Sequence, residues 1–593
     1  MIVAEFITKK LEKLNLETVF MVTGGASMFL NNYLGKSKKF KKMYCHHEQS
    51  ASMAAEVYAR IKKKPAILNV TAGPGTLNAL NGVFGAYTDS IPMIILSGQA
   101  KRQTSLQFNK ISGLRQLGDQ ELKTESIVKT IVKKSYVLRN EKNLNKILDK
   151  AFEECIYGRP GPVWIDVPID IQGKYTNEKV RKFKTSKKTF NYKINYKKFF
   201  NLIENSKKPL ILAGTGIKIS KSEKIFLKLV NKLKFPVVTA WTHDIINFEN
   251  KYFIGRQGTI GTRAGNFATQ ASDLIIVLGS RLNIRQISYN YKCFAKNAKL
   301  IWVDIDKAEF KKKFVKKIDL KINCDLNFFI KKTIKLLKRK KIKENIKWLE
   351  WCNKLKLNYT PVESNYKDFK EINPYHFIST LFKNLKNDDI LICADATATI
   401  VPFQIGYTNK NITMISNSGC ASMGYDLPGT LGALMTDKNT RVICLAGDGS
   451  IMMNIQELAI LKNFQSRLKI FVLNNDGYLS IKQTQKNFFG KEYGSSSKSG
   501  LTFPNFKKLA SSFGFKSILL RKNNSNWKKN LNKIMANRNF SFIEVKLALE
   551  QEFEPRLKSR KENNKIFTPE LDDMFPFLDR SELKNIRLEA KKI

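Results

Sequence analysis

The sequence predicts an α/β protein built of three doubly wound parallel-sheet domains. Short apolar runs end in small or polar turns and alternate with helix-like segments along most of the chain. At 593 residues the chain is long enough for several separate cores. The stretch Val442–Asn475 shows the unit plainly. Val442-Ile443-Cys444-Leu445 runs into Gly447-Asp448-Gly449. A segment with Ile455, Leu458, Ala459 and Leu461 at helical spacing follows, and Ile470-Phe471-Val472-Leu473 then stops at Asn474-Asn475.

The first block spans residues 1–173. An amphipathic first helix leads to Val19-Phe20-Met21-Val22, which ends in Thr23-Gly24-Gly25. Ala66–Val70 ends in Thr71-Ala72-Gly73-Pro74-Gly75, and Met93–Leu96 ends in Ser97-Gly98-Gln99. Tyr157–Asp170 reads as the closing strand. A lysine-rich linker covers about 174–195. The second block, 196–345, repeats the pattern, with runs ending in Gly214-Thr215-Gly216, Gly279-Ser280-Arg281 and Asp304-Ile305-Asp306. Residues 346–375 form a charged connection. The third block, 376–550, holds Val442–Asn475, and 551–593 reads as an irregular arm ending in a helix. No short repeat is visible, yet three domains of one class suit an old duplication.

Composition narrows the function. No apolar run is as long as a membrane span, and the N-terminus lacks the apolar core of a signal peptide. The eight cysteines are scattered without a CxxC pair, as expected of buried thiols in a cytoplasmic protein. The formal net charge of +52 admits a nucleic-acid-binding protein on Rossmann-like domains. Lysine is spread throughout, however, beside abundant Asn, Ile and Phe, and no binding motif accompanies it. Compositional drift explains the charge better, and neither nucleic acid nor membrane is expected as a partner.

The chemistry concentrates at strand ends, where ligands of parallel sheets bind. The crossover after Asp448 should bring it close to Asn475. A carboxylate with an amide oxygen suits a hard cation such as Mg2+. The glycines expose N–H groups, and the following helix turns its positive end to an anion. A solvated Asp in an ordinary turn is the plain alternative. Far upstream, His46-His47-Glu48 precedes an Ala-rich helix. Adjacent residues point different ways and only four histidines exist, so zinc is not expected; a surface carboxylate is the simple reading of Glu48.

These pieces carry a resemblance. GDG followed by NN resembles the thiamine diphosphate (ThDP) motif of the acetolactate synthase and pyruvate oxidase superfamily, whose domains are pyrimidine-binding, central and diphosphate-binding. It implies that Asp448, Asn475 and the Gly477 carbonyl hold Mg2+, which holds the diphosphate. The His-Glu-Gln segment resembles the family motif in which a glutamate, here Glu48, hydrogen-bonds the pyrimidine ring. ThDP must lose a ring proton to act, and this glutamate stabilises the tautomer that removes it. Gly73–Asn78 resembles the pyrimidine-site loop, with Gly73 and Asn78 at the cofactor. Ala86–Gln99 resembles the Asp-Ser-x-Pro strand, and Gln120-Glu121 a Gln-Glu pair, although Asp119 replaces a usual Phe. Gln99 and Gln120 would help orient substrate. Gly419 onward resembles the MG-x-x-LP helix start, with Met423 as the wedge bending ThDP. Thr397, Gly449, Ser450, Tyr478 and Leu479 complete the implied cofactor contacts.

The resemblance implies a decarboxylating carboligase acting on pyruvate or a related 2-oxo acid and an acceptor aldehyde or ketone. It also implies a homo-oligomer with shared active sites. Thr484 stands where acetolactate synthases carry Trp, and Leu479 replaces a usual glycine. The chain's two ends look closer to ThDP proteins of surface-polysaccharide sugar biosynthesis, some of which transfer acetyl from pyruvate to a keto-sugar; a 2-oxo acid decarboxylase is another alternative. The central block resembles an FAD-holding domain, but relatives with this domain often lack flavin, which leaves FAD open.

Overall fold

The computed structural model describes residues 1–183, 191–241, 244–315, 317–522, 526–562 and 565–593. Residues 184–190 of the expected linker lie outside the described residues. Three six-stranded sheets, all parallel, organise the chain.

The first sheet contains β1 (Thr18–Met21), β2 (Lys41–Tyr44), β3 (Ala66–Val70), β4 (Met93–Gln99), β5 (Lys134–Val137) and β6 (Pro162–Pro168). Their order is β2-β1-β3-β4-β6-β5. β3, β4 and β6 are buried on both faces, which explains their unbroken apolar runs. β6 is last in sequence but lies inside the sheet. The edges are β2 and β5, whose Lys41, Lys42, Lys134 and Ser135 hid them from an apolar-run reading.

The central sheet holds β7 (Pro209–Ala213), β8 (Val237–Thr239), β9 (Phe253–Arg256), β10 (Leu274–Leu278), β11 (Lys299–Asp304) and β12 (Leu320–Asn323). Its order is β12-β11-β10-β7-β8-β9, the dinucleotide-fold arrangement. The third sheet holds β13 (Ile390–Cys393), β14 (Thr413–Ser416), β15 (Val442–Gly447), β16 (Leu468–Asn474), β17 (Ser517–Leu520) and β18 (Phe542–Lys546). Its order, β14-β13-β15-β16-β18-β17, repeats that of the first sheet strand for strand. The similarity that suggested three copies of one unit therefore holds for topology only between the first and third sheets.

Strand order reverses beside β1 and β3, and beside β13 and β15. Those two crevices are where ligands bind in open parallel sheets. The helix Glu48–Lys62 links them. It lies between the helix Pro74–Asp89 of its own domain and the helix Asp426–Leu434 of the third, within one continuous apolar core. Glycines allow the close approach. A Cβ at Gly82 would strike Ser52 and Met53, and one at Gly432 would strike the Ala54 carbonyl. Buried polar groups fix the crossing. Arg60 donates to Glu56 and, at 2.8 Å, to Asp89, while the Tyr425 hydroxyl of the third domain donates to Glu56.

Gly432→Val would force these helices apart. A loss of about 1–3 kcal/mol is expected, measured by denaturant unfolding against Gly35→Ala, where an added Cβ meets only the Tyr44 hydroxyl at ordinary contact distance.

Candidate active site

Glu48 opens its helix, with the preceding His47 ring accepting the Gln49 N–H at 3.1 Å. The carboxylate is buried and accepts from Asn78 Nδ2 at 3.1 Å. Asn78 itself is exposed, one turn into the helix Pro74–Asp89. Gly75 lies so near that a Cβ there would sit 3.2 Å from Glu48 Oε1. Gly73 adopts φ +58° and packs on the Gln120 carbonyl, which a Cβ would strike. Gln120 also has a positive φ, and its side chain is exposed. Its neighbour Glu121 is buried. Although burial raises its pKa, N–H bonds from Leu117, Leu106 and Gly118 outweigh that and lower it. This carboxylate clasps the loop that presents Gln120.

Gln99 occupies a different setting. It is fully buried, and its amide donates to the Leu122 carbonyl at 2.7 Å, to Thr124 at 3.1 Å and to Asp166 at 3.3 Å. Its oxygen accepts the Ala100 N–H. The side chain thus ties strand β4 to the loop around Gln120 and is committed to protein partners.

The second cluster gathers around Asp448, which is 1% exposed. Its Oδ1 accepts Gly449 N–H at 2.8 Å. Its Oδ2 accepts Asn475 N–H at 3.1 Å and Gly477 N–H at 2.9 Å. One carboxylate therefore pins the end of β15 to the end of β16. Three donors leave room among its roughly four lone-pair sites for another partner. The Asn475 amide nitrogen donates to Thr397 Oγ1 at 2.9 Å, which turns its oxygen the other way. Gly477, at φ +116°, passes so close to Ser495 that a side chain would strike its carbonyl. Gly449 is packed against the half-buried Tyr478 ring, and Leu479 is buried at the start of the next helix. Ser450 donates to Asp426 at 2.6 Å and accepts the Gly424 N–H at 2.9 Å. That bond fixes the turn, Gly424 at φ +77°, that presents the half-buried Met423.

Some contributors escaped the sequence reading. Asp395 follows β13 and carries a buried Oδ2 with no hydrogen-bond partner. Burial pushes Asp395, Asp426 and Asp448 each up to about 6. Lys482 is buried and donates to the carbonyls of Asn475 and Asp476, at 3.4 and 3.1 Å. The expected continuous helix after Asp448 is broken. Asn454 has non-helical φ −136°, and the segment Met452–Glu457 is 3-10. The break serves Glu48. Asn454 accepts from Ser50 at 2.9 Å, and Glu457 accepts the His46 N–H at 3.1 Å. For Asn454 and Glu457 the sequence signal was only their place after the glycine turn, and for Asp395 only its place after an apolar run.

Among the described residues, no three His, Cys, Asp or Glu side chains converge to hold a metal. A cation at Asp448 therefore depends on the mixed set of carboxylate, amide oxygen and main-chain carbonyl. The lone-pair site that Asp448 keeps free and the Asn475 oxygen turned away from Thr397 are hard oxygen donors that fit a divalent cation. The glycine turn beside them fits a diphosphate.

The comparisons with known proteins bear on both clusters. Residues 1–124 match the thiamine pyrophosphate enzyme N-terminal TPP binding domain. Residues 196–333 match the central domain of these enzymes, and 398–545 their C-terminal TPP binding domain. The chain is 32% identical over 541 residues to a probable acetolactate synthase large subunit of Methanococcus aeolicus, covering 87% of each chain. It is 30% identical over 528 residues to the acetolactate synthase large subunit of Lactococcus lactis, covering 87% of this chain and 88% of that one. The chain belongs to the thiamine pyrophosphate enzymes. It is a ThDP-dependent enzyme, and the matched terminal domains contain Glu48 and Asp448. Among the described residues no helix is long and apolar enough to cross a membrane.

For a thiamine pyrophosphate enzyme these three raised carboxyls have a pH consequence. Each raised carboxyl holds its proton more readily folded than unfolded. Its stabilising contribution is complete below the ordinary value of 3.8 and is lost as pH rises through about 6. A cation at Asp448 favours the ionised form. ThDP with Mg2+ is expected to raise the melting temperature more at about pH 7.5 than at about pH 5, measured by thermal shift at both values.

Proposed function

We propose that this chain is a cytoplasmic ThDP- and Mg2+-dependent carboligase that decarboxylates pyruvate or a related 2-oxo acid and joins the remaining fragment to an aldehyde or ketone. The observation that carries this reading is a buried glutamate at one crevice and a buried oxygen-donor cluster at the matching crevice of the third sheet. The names of the relatives, acetolactate synthase large subunits, support the reaction class. ThDP, when bound, supplies the electron sink that decarboxylation requires.

In this reading Asp448, Asn475 and the Gly477 carbonyl hold the metal, and Gly449 and Ser450 offer the turn that receives the diphosphate. Thr397 orients Asn475. Met423, Tyr478 and Leu479 shape the wall between the two ends. Glu48 accepts and returns a proton at its carboxylate beside the pyrimidine ring, with Gly73 keeping the loop tight and Asn78 steering the carboxylate. The exposed Gln120 is available to substrate, while Gln99 acts by holding the Gln120 loop. Thr484 is exposed, with its hydroxyl donating to the Ser480 carbonyl at 2.9 Å, and leaves room for the acceptor.

The two clusters in one chain are joined through the Ser50–Asn454 and His46–Glu457 bonds, while Glu48 itself bonds to Asn78. Leu77 and Phe84, on the helix that carries Asn78, and Met452 and Met453, after Asp448, are exposed. These apolar groups beside both clusters support a homo-oligomer in which each site is shared. FAD remains a proposal of its own. Cavities of about 500 and 270 Å³ flank the turns after β7 and β10 and share Asp89, Thr215 and Arg281. Flavin fluorescence in the supernatant of denatured protein would support it, and a colourless protein carrying only ThDP would remove it.

Glu48→Gln is expected to slow pyruvate consumption by about 100- to 10,000-fold while ThDP still binds. Turnover assays with pyruvate alone and with added acceptors check this together with the product. Undiminished turnover in Glu48→Gln would sink the mechanism.

A further inference from the structure

Arg256 ends strand β9 of the central domain, but its side chain belongs to the third. Its main-chain N–H and carbonyl are both used locally by Thr262, at 3.1 and 2.7 Å. The guanidinium leaves the sheet and enters the C-terminal end of the helix Thr397–Ile405. It donates to the carbonyls of Pro402 at 3.2 Å, of Phe403, and of Gly406 at 3.3 Å. It lies 5.2 Å from the Phe403 ring centre and 5.1 Å from that of Tyr407. The residue is 3% exposed. No carboxylate forms an ion pair with it among the described residues.

A cation buried without a carboxylate needs another source of negative potential. The end of a helix supplies it, through unpaired carbonyls and the aligned peptide dipoles. Three carbonyls at the helix end, of which Pro402's also accepts the Gly406 N–H at 2.9 Å, are bonded by one side chain from another domain.

The same helix begins at the cofactor end. Ala396, just before it, is held at φ +49°, a left-handed conformation unusual for a residue with a side chain. Thr397, the first helical residue, accepts the Asn475 amide. Nine residues, about 13 Å of helix, separate the two ends. Gln404, one turn from the arginine, bonds to Tyr375 at 2.6 Å and to the central-domain Ile260 carbonyl at 3.3 Å. The far end of this buried helix is therefore held in part by the central domain.

We propose that Arg256 is a positioning residue for the ThDP site: by capping the helix Thr397–Ile405 it sets where Thr397 stands and so aims the Asn475 amide oxygen. It touches neither cofactor nor substrate. The inference gives the central domain a part in cofactor binding that needs no ligand of its own. It rests on the reading in which Asn475 faces the metal and diphosphate.

The test is calorimetric titration of ThDP, with Mg2+ present, into the full-length chain. Arg256→Met is expected to weaken binding about tenfold, and Arg256→Lys, which keeps the charge, only about threefold. Thr397→Ala removes the link to Asn475. In that background either Arg256 change should cost less than about a further twofold, since both act through one contact. If Arg256→Met fails to fold, Arg256→Lys with and without Thr397→Ala completes the same comparison. Wild-type affinity in the Arg256 variants, even with a lowered melting temperature, would overturn the proposal, as would effects that multiply independently of Thr397. A wild-type chain that does not bind ThDP overturns the underlying reading instead, and the inference with it.

Discussion

The carboxylate of Asp448 is the constraint on which the diphosphate side of the molecule depends. It is buried and, among the described residues, bonded only to main-chain N–H groups, two of which belong to the turn after the neighbouring strand. A buried charge of this kind is costly unless hydrogen-bonded. The three N–H bonds lower its cost, yet burial still prevails and holds the carboxyl near 6. The same bonds bring Asn475 and Gly477 to the end of β15. In the proposed reading, the hydrogen bonds that the buried carboxylate requires also preorganise the cation site.

A second constraint is the packing of the helix Glu48–Lys62 between helices of two domains. Its N-terminus carries Glu48, its middle is clasped by glycines on either side, and its far turn carries the Glu56–Arg60 pair. The segment after Asp448 reaches its first turn through Asn454 and Glu457. Glu48 and Asp448 therefore sit on one rigid frame, although the bonds join their surroundings rather than the two carboxylates. Close packing without voids makes such frames discrete rather than deformable.

Much of this was legible in the chain. The alternation of apolar runs and turns points to three parallel α/β sheets, because strands buried on both faces are composed mainly of apolar residues. The glycine turn, Asp448 and Asn475 declared a strand-end site, because a crossover must return them to the same edge. Half-polar edge strands such as β2 and β5 were invisible for the opposite reason: an edge keeps one side in water.

Sequence by itself determined the class of the domains, the family, and the residue types at each crevice, since these depend on local pattern and on motif spacing. Tertiary structure decided what no local pattern encodes. It showed that the first and third sheets share a strand order that the central sheet does not. It committed Gln99 to a buried network, broke the helix after Asp448 at Asn454, and sent Arg256 across a domain boundary. Each of these follows from a contact between residues far apart in the chain, and hydrogen-bond partners at such separations are chosen by packing, not by neighbours in sequence.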